Sequence, residues 1–173
     1  MFLSMPIKII CKTAPLGYNS YMKNCLIKIS GDLTTPPEKL IEFIRQISND
    51  FFVVICLGGG TQINKAFENK GFEIKFGPLG RETNNLEQRQ LARDILEINQ
   101  AKFQDVLQKA GVHAAVVIPA IEVGTVLCHV NGDQYVLAAY NGFDSIFIVT
   151  LYERLEAKKK DFIAYPKIEV ISI

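Results

Sequence analysis

The run Phe51-Phe52-Val53-Val54-Ile55-Cys56-Leu57, closed at once by Gly58-Gly59-Gly60, constrains this chain more than any other stretch. A strand with one face in water alternates apolar and polar residues. An unbroken, β-branched-rich run is expected where both faces are covered, which is the habit of parallel sheets in α/β proteins. A parallel sheet in turn demands crossover helices between its strands. With 173 residues, one domain is the expectation, and a chain of this size buries about 70% of its unfolded surface without staples.

The rest of the chain keeps that rhythm from Met22 onward. Residues 25–29 (CLIKI) read as a strand. Thr35 followed by Glu38 suggests a capping box with Pro36 at the first helical position, and Leu40, Ile41, Ile44 and Ile47 then recur at helical spacing. A short helix after the glycine triplet ends at Gly71. Residues 72–85, with Gly77, Pro78 and Gly80, read as irregular. Leu86 to Ala110 reads as a helix of about 37 Å, with Leu91, Ile95, Ile98, Val106 and Ala110 as its buried stripe, Leu96 and Ala101 off it, and Gly111 as its stop. Residues 114–121 read as a strand, 124–133 as a strand or extended segment and 134–142 as a short helix closed by Gly142. A strand at 145–150, an amphipathic helix at 151–165 carrying Leu151, Leu155 and Phe162, and a last strand at 167–173 complete the chain. The expected fold is a three-layer α/β/α sandwich with a mainly parallel sheet, one domain over residues 22–173. Residues 1–21 fit the rhythm poorly and read as an extension or an added strand, Ile7 to Cys11.

Lys and Arg number 19 against 18 Asp and Glu, so no global charge excess exists to drive counterion release, and nucleic acid is not an expected partner. No apolar run approaches the ~20 residues of a spanning helix, and the N-terminus lacks the order of a signal peptide. A cytoplasmic protein without membrane contact is expected. The cysteines at 11, 25, 56 and 128 form no CxxC pair, and only His113 and His129 could join them. Neither a metal centre nor a disulfide framework is expected. Cys25 and Cys56 read as small buried hydrophobes.

Three segments carry the chemistry. Lys28-Ile29-Ser30-Gly31 closes the first strand, and ligands in open α/β sheets bind outside the carboxyl ends of strands. Lys28 can neutralise phosphate there without a buried partner, or simply snorkel off a strand end. Ser30 and Gly31 permit close backbone approach. Gly58, Gly59 and Gly60, with Thr61, stand between a buried strand and a helix, where free N–H groups and the helix dipole favour an anion. A tight turn is the plain alternative. In Asn131-Gly132-Asp133, Asp133 either caps the next helix or orients a phosphate-binding lysine. Arg81 could contact an anionic substrate, or only stabilise a loop. Lys158, Lys159 and Lys160 could add charge to a site, or form a solvated helix face. Tyr140, Phe143, Phe147 and Tyr152 read as core rather than stacking platforms.

Taken together, these segments resemble the amino acid kinase superfamily, which includes uridylate kinase, acetylglutamate kinase and aspartokinase. The resemblance covers residues 22 to about 150: Lys28-Ile29-Ser30-Gly31, the strand and triplet VVICLGGG (53–60), the long helix, Asn131-Gly132-Asp133, and FIVT (147–150). It implies transfer of the ATP γ-phosphoryl group, usually with Mg²⁺, to a small acid or phosphate acceptor. Lys28 would hold the phosphates, Gly58 to Gly60 would face acceptor and γ-phosphate, and Asp133 would orient catalytic lysines. A small phosphorylated or acidic ligand and a homo-oligomer are implied. The sequence departs from the family after Thr150, where the later nucleotide-binding part is shortened. The alternative is a non-catalytic nucleotide- or anion-binding protein, or an assembly subunit.

Overall fold

The computed structural model describes residues 22–78, 80–123 and 126–173. A segment at residues 7–11, expected as an added strand, lies outside them. Strands β1 (Lys23–Ile29), β2 (Phe51–Leu57), β5 (Ala115–Val117), β8 (Ser145–Thr150) and β9 (Ile168–Ser172) form one sheet in the order β5-β2-β1-β8-β9, parallel throughout. β3 (Phe76–Gly77) pairs with β4 (Gly80–Arg81), and β6 (Ala120–Val123) with β7 (Val126–His129), as two antiparallel hairpins outside the sheet.

Strand alternation sends Cys25, Ile27 and Ile29 to one face, where they meet Val53, Ile55 and Leu57 of β2 under helices α1 (Glu38–Ser48) and α3 (Leu86–Lys109). Leu26, Cys56, Ile146 and Ile148 point the other way, into a core closed by Val136 of α4 (Gly132–Ala139) and by Phe162 at the end of α5 (Leu155–Asp161). The double-sided burial expected of residues 51–57 holds toward the end of β2, at Ile55, Cys56 and Leu57, whereas Phe52 on the opposite face to Val53 is 51% exposed. Both buried thiols, Cys25 and Cys56, are pushed up by burial to about 12. A satellite cluster of Ile63, Phe67, Ala92 and Leu96 joins α2 (Gly60–Asn69) to the first half of α3. Gly71 and Gly111, at φ +70° and +68°, end α2 and α3 where expected.

Four local expectations are overturned. Helix α1 starts at Glu38 with Pro37 as its N-cap, and no side chain caps it. The second proline of the pair restrains Pro36 to extended backbone, so Pro36 cannot be the first helical residue and Thr35 stands too far back to cap. In α3, Gln88, Ala92, Leu96, Phe103 and Leu107 are buried, whereas Ile98 is 52% exposed. Leu96 thus belongs to the buried stripe. The stripe was hidden because glutamines share its neighbourhood. Gln104 bonds both Ala114 O and Val116 N (each at 3.0 Å), and Gln100 donates to Val116 O at 2.6 Å. The helix expected over 151–165 is a 3₁₀ turn, Tyr152–Arg154, followed by the short α5. Tyr152 is exposed, not core.

Candidate functional site

Order β5-β2-β1-β8-β9 grows outward from β1 in both directions. The chain runs β1 to β2 to β5 on one side, then to β8 and β9 on the other. Such a reversal opens a crevice at the carboxyl ends of the strands that flank it, here β1 and β8. A cleft of about 260 Å³ lies there, and Lys28, Ser30, Gly31, Gly58, Gly59, Gly60, Arg81, Asn131 and Asp133 all line it.

Lys28 shares the face of Leu26 on β1, so its ammonium runs under α4 rather than out to solvent. Its Nζ stands 3.1 Å from Asp133 Oδ1, with 11% of the lysine side chain exposed. The expectation that Lys28 has no buried partner is therefore corrected. Asp133 Oδ2 accepts a 2.7 Å hydrogen bond from Lys158, which also reaches Asp161 at 3.0 Å. Burial alone would raise the Asp133 carboxyl, but Lys28 and Lys158 outweigh it and hold Asp133 below the usual carboxylate range. Burial likewise opposes the charge on Lys158, and the bonds to Asp133 and Asp161 still hold its ammonium above the usual lysine value. Asp133 can play this part because it is not the helix cap. Asn131 caps α4, its Oδ1 accepting from Asp133 N at 2.8 Å. Lys158 is accordingly a cleft residue rather than part of a solvated face.

The glycine loop meets the turn after β1 almost backbone to backbone. A Cβ on Gly31 would stand 2.9 Å from Gly60 N and 3.1 Å from Gly59 Cα, so residue 31 has no room for a side chain. Helix α2 starts there with Gly59 as N-cap, no side-chain cap and no acid in its first turn. Its leading N–H groups are the orphan donors every helix start carries.

A second carboxylate, Asp32, was not singled out in the sequence. It accepts from Thr61 Oγ1 at 2.5 Å, Arg154 Nη1 at 2.9 Å and Ser30 Oγ at 3.3 Å. The Thr61 hydroxyl is the main cause holding Asp32 below its ordinary value, ahead of an opposing desolvation and the Arg154 charge. Asp32 and Arg154 are 122 positions apart, a separation no local pattern encodes. The one available signal was the acid immediately following Ser30-Gly31.

Arg81 closes the cleft from the β3–β4 hairpin. It donates to Gly60 O at 3.0 Å and to Asn64, and its guanidinium lies 4.9 Å from the Phe76 ring centre and 5.5 Å from that of Phe67. The hairpin fits because Gly80, at φ +105°, sits against Asn131, where a Cβ would come within 2.5 Å of Asn131 Cβ. The cleft walls thus hold Lys28, Lys158, Arg81 and Arg154 against Asp32 and Asp133, an excess of cation that suits an anion.

Mg²⁺ favours carboxylates with open oxygens. Both carboxylates here are already engaged by cations or hydroxyls, and among the described residues no group of His, Cys, Asp and Glu is arranged to hold a metal. These side chains do not fit a protein-held Mg²⁺. No helix among the described residues is long and apolar enough to cross a membrane.

No family model matches the chain, and no curated protein matches it. Among solved structures, the fold is similar to N-acetylglutamate synthase from Neisseria gonorrhoeae. The structure complexed with coenzyme A and L-arginine has a TM-score of 0.57 at 10% identity, covering 75% of this chain and 43% of that one. The structure complexed with coenzyme A and N-acetyl-glutamate has a TM-score of 0.56 at 11% identity, covering 75% and 42%. This chain therefore spans less than half the length of those proteins, and at such identities the likeness is one of α/β fold.

Proposed function

We propose that the cleft binds a small phosphorylated or acidic ligand, and that the chain is an amino acid kinase-like phosphotransferase built around it. The observation that carries this reading is the excess of cations beside an uncapped helix start at the switch point of the sheet. Phosphoryl transfer asks mainly for positioning and charge neutralisation. Lys28 and Lys158, held apart on the two oxygens of Asp133, are preset for phosphate oxygens, and the α2 N-terminus faces the same space. The N-acetylglutamate synthase structures of similar fold are complexes with coenzyme A and either L-arginine or N-acetyl-glutamate. In the proposed reaction an acceptor oxygen attacks the γ-phosphorus of ATP, a new P–O bond forms, and ADP leaves with the electrons of the broken one.

A non-catalytic anion binder is the second reading. The cleft volume favours it, because about 260 Å³ lies below the ~300–1,000 Å³ of ordinary ligand pockets and is small for two reactants at once. Titration calorimetry with ATP, ADP, UMP and inorganic phosphate, followed by assay of ADP release with Mg²⁺ and candidate acceptors, separates the two. Binding with ADP release supports the kinase, and binding alone supports the second reading. Lys28→Ala is expected to weaken anion binding by about 1.5–3 kcal/mol. Unchanged affinity in that variant would remove Lys28 from the site.

A further inference from the structure

The cations of the cleft belong to two different centres. Lys28 and Lys158 are fixed on Asp133, at the start of α4. Arg154 is fixed on Asp32, which also holds Thr61 in the first turn of α2. We infer that Arg154 is a selectivity residue: it leaves Asp32 for the second phosphoryl group of a diphosphate, so that the cleft takes diphosphates in preference to monophosphates. This deepens the anion-site reading above and rests on it.

Three observations support the exchange. Arg154 is 51% exposed on its side chain, far more than Lys28 or Lys158, and exposed ion pairs hold little free energy. A guanidinium can engage phosphate through two parallel bonds, whereas its contact with Asp32 is through Nη1 alone. When Arg154 departs, Asp32 keeps the Thr61 and Ser30 hydroxyls, so no carboxylate is left bare. Lys28 and Lys158 cannot be released so cheaply, because they are themselves only 11% and 24% exposed as side chains and share one carboxylate, which Lys158 also links to Asp161. One phosphoryl group is thus met by the lysine centre, and a second finds the movable arginine.

The test compares inorganic phosphate with pyrophosphate by calorimetry on the full chain. The parent is expected to bind pyrophosphate at least tenfold more tightly. Arg154→Ala should lower pyrophosphate affinity about tenfold, a loss of about 1.4 kcal/mol, while phosphate affinity changes less than twofold. Arg154→Lys, which keeps charge but loses the fork, should fall between. Asp32→Asn should tighten pyrophosphate, because it frees Arg154. Equal weakening of both anions in Arg154→Ala would reduce Arg154 to a contributor to the general field and overturn the selectivity. No effect on either would remove it altogether. If the parent binds neither anion, the site reading itself fails. The stability of Arg154→Ala, read by thermal melting, should match the parent, so lost affinity cannot be assigned to unfolding.

Discussion

Asp133 and Asp32 are chemically alike, each a carboxylate held by partners from chain segments distant in sequence and exposed to a similar degree (22% and 19% as side chains), yet their cations differ. Around Asp133, 11% of Lys28, 22% of the aspartate and 24% of Lys158 are exposed as side chains. Around Asp32, the arginine is half in water and hydroxyls supply the remaining contacts. Desolvation makes the first cluster a structural commitment, because removing one member strands the others' charge. The second is cheap to open. One cleft thus contains a fixed centre and a movable one.

The sharpest way to break this comparison is to remove each carboxylate. Asp133→Ala leaves two shielded ammonium groups without their common partner and is expected to cost about 3–5 kcal/mol, read as a lowered midpoint in urea unfolding. A cost as small as that of Asp32→Ala would show that water reaches both clusters equally. Lys28→Ala should cost less than Asp133→Ala, since Lys158 still serves the carboxylate.

A backbone change sharpens the contrast from the other side. Gly31→Ala drives its Cβ against the Gly60 amide, so the turn bearing Asp32 must shift, at about 1–3 kcal/mol. Gly59→Ala meets Leu96 Cδ2 at 2.8 Å, a side-chain end rather than backbone, and should cost less. Equal melting temperatures for the two alanines would refute the tight junction at Gly31.

The smallest effect is in pH. Both carboxylates are held below their ordinary value. Their contribution to stability is therefore complete above the usual pKa of about 3.9 and is lost as pH falls through the lower folded values. Asp32→Asn should change this acid limb by less than about 1 kcal/mol, given how readily solvent screens that cluster. A larger change would mean that Asp32 is more enclosed than its neighbours imply.

The sheet was legible because its signal is local. Phe51–Leu57 is apolar at every position, and a run that short and continuous has few folded uses. Helix ends at Gly71 and Gly111 were legible for the same reason. Leu96 was misjudged because Gln100 and Gln104 sit on a face that hydropathy reads as wet, whereas their amides are spent on backbone. At the site, residues at strand ends announced themselves by position. Asp32 and Arg154 did not, since their relation exists only after β8 has been laid beside β1. Asn131 took the cap that Asp133 was expected to make, and one hydrogen bond, Asp133 N to Asn131 Oδ1, decides which of them is free to hold lysine.

The glutamines on α3 have one more effect. An exposed sheet edge is a template onto which any passing strand can add. On β5 the N–H and the carbonyl of Val116, and the carbonyl of Ala114 just before it, are already answered by amides from the chain's own helix. Those amides blunt the border against an added strand. Among the described residues, the margin left open to an added strand is the opposite one, along Ile168–Ser172.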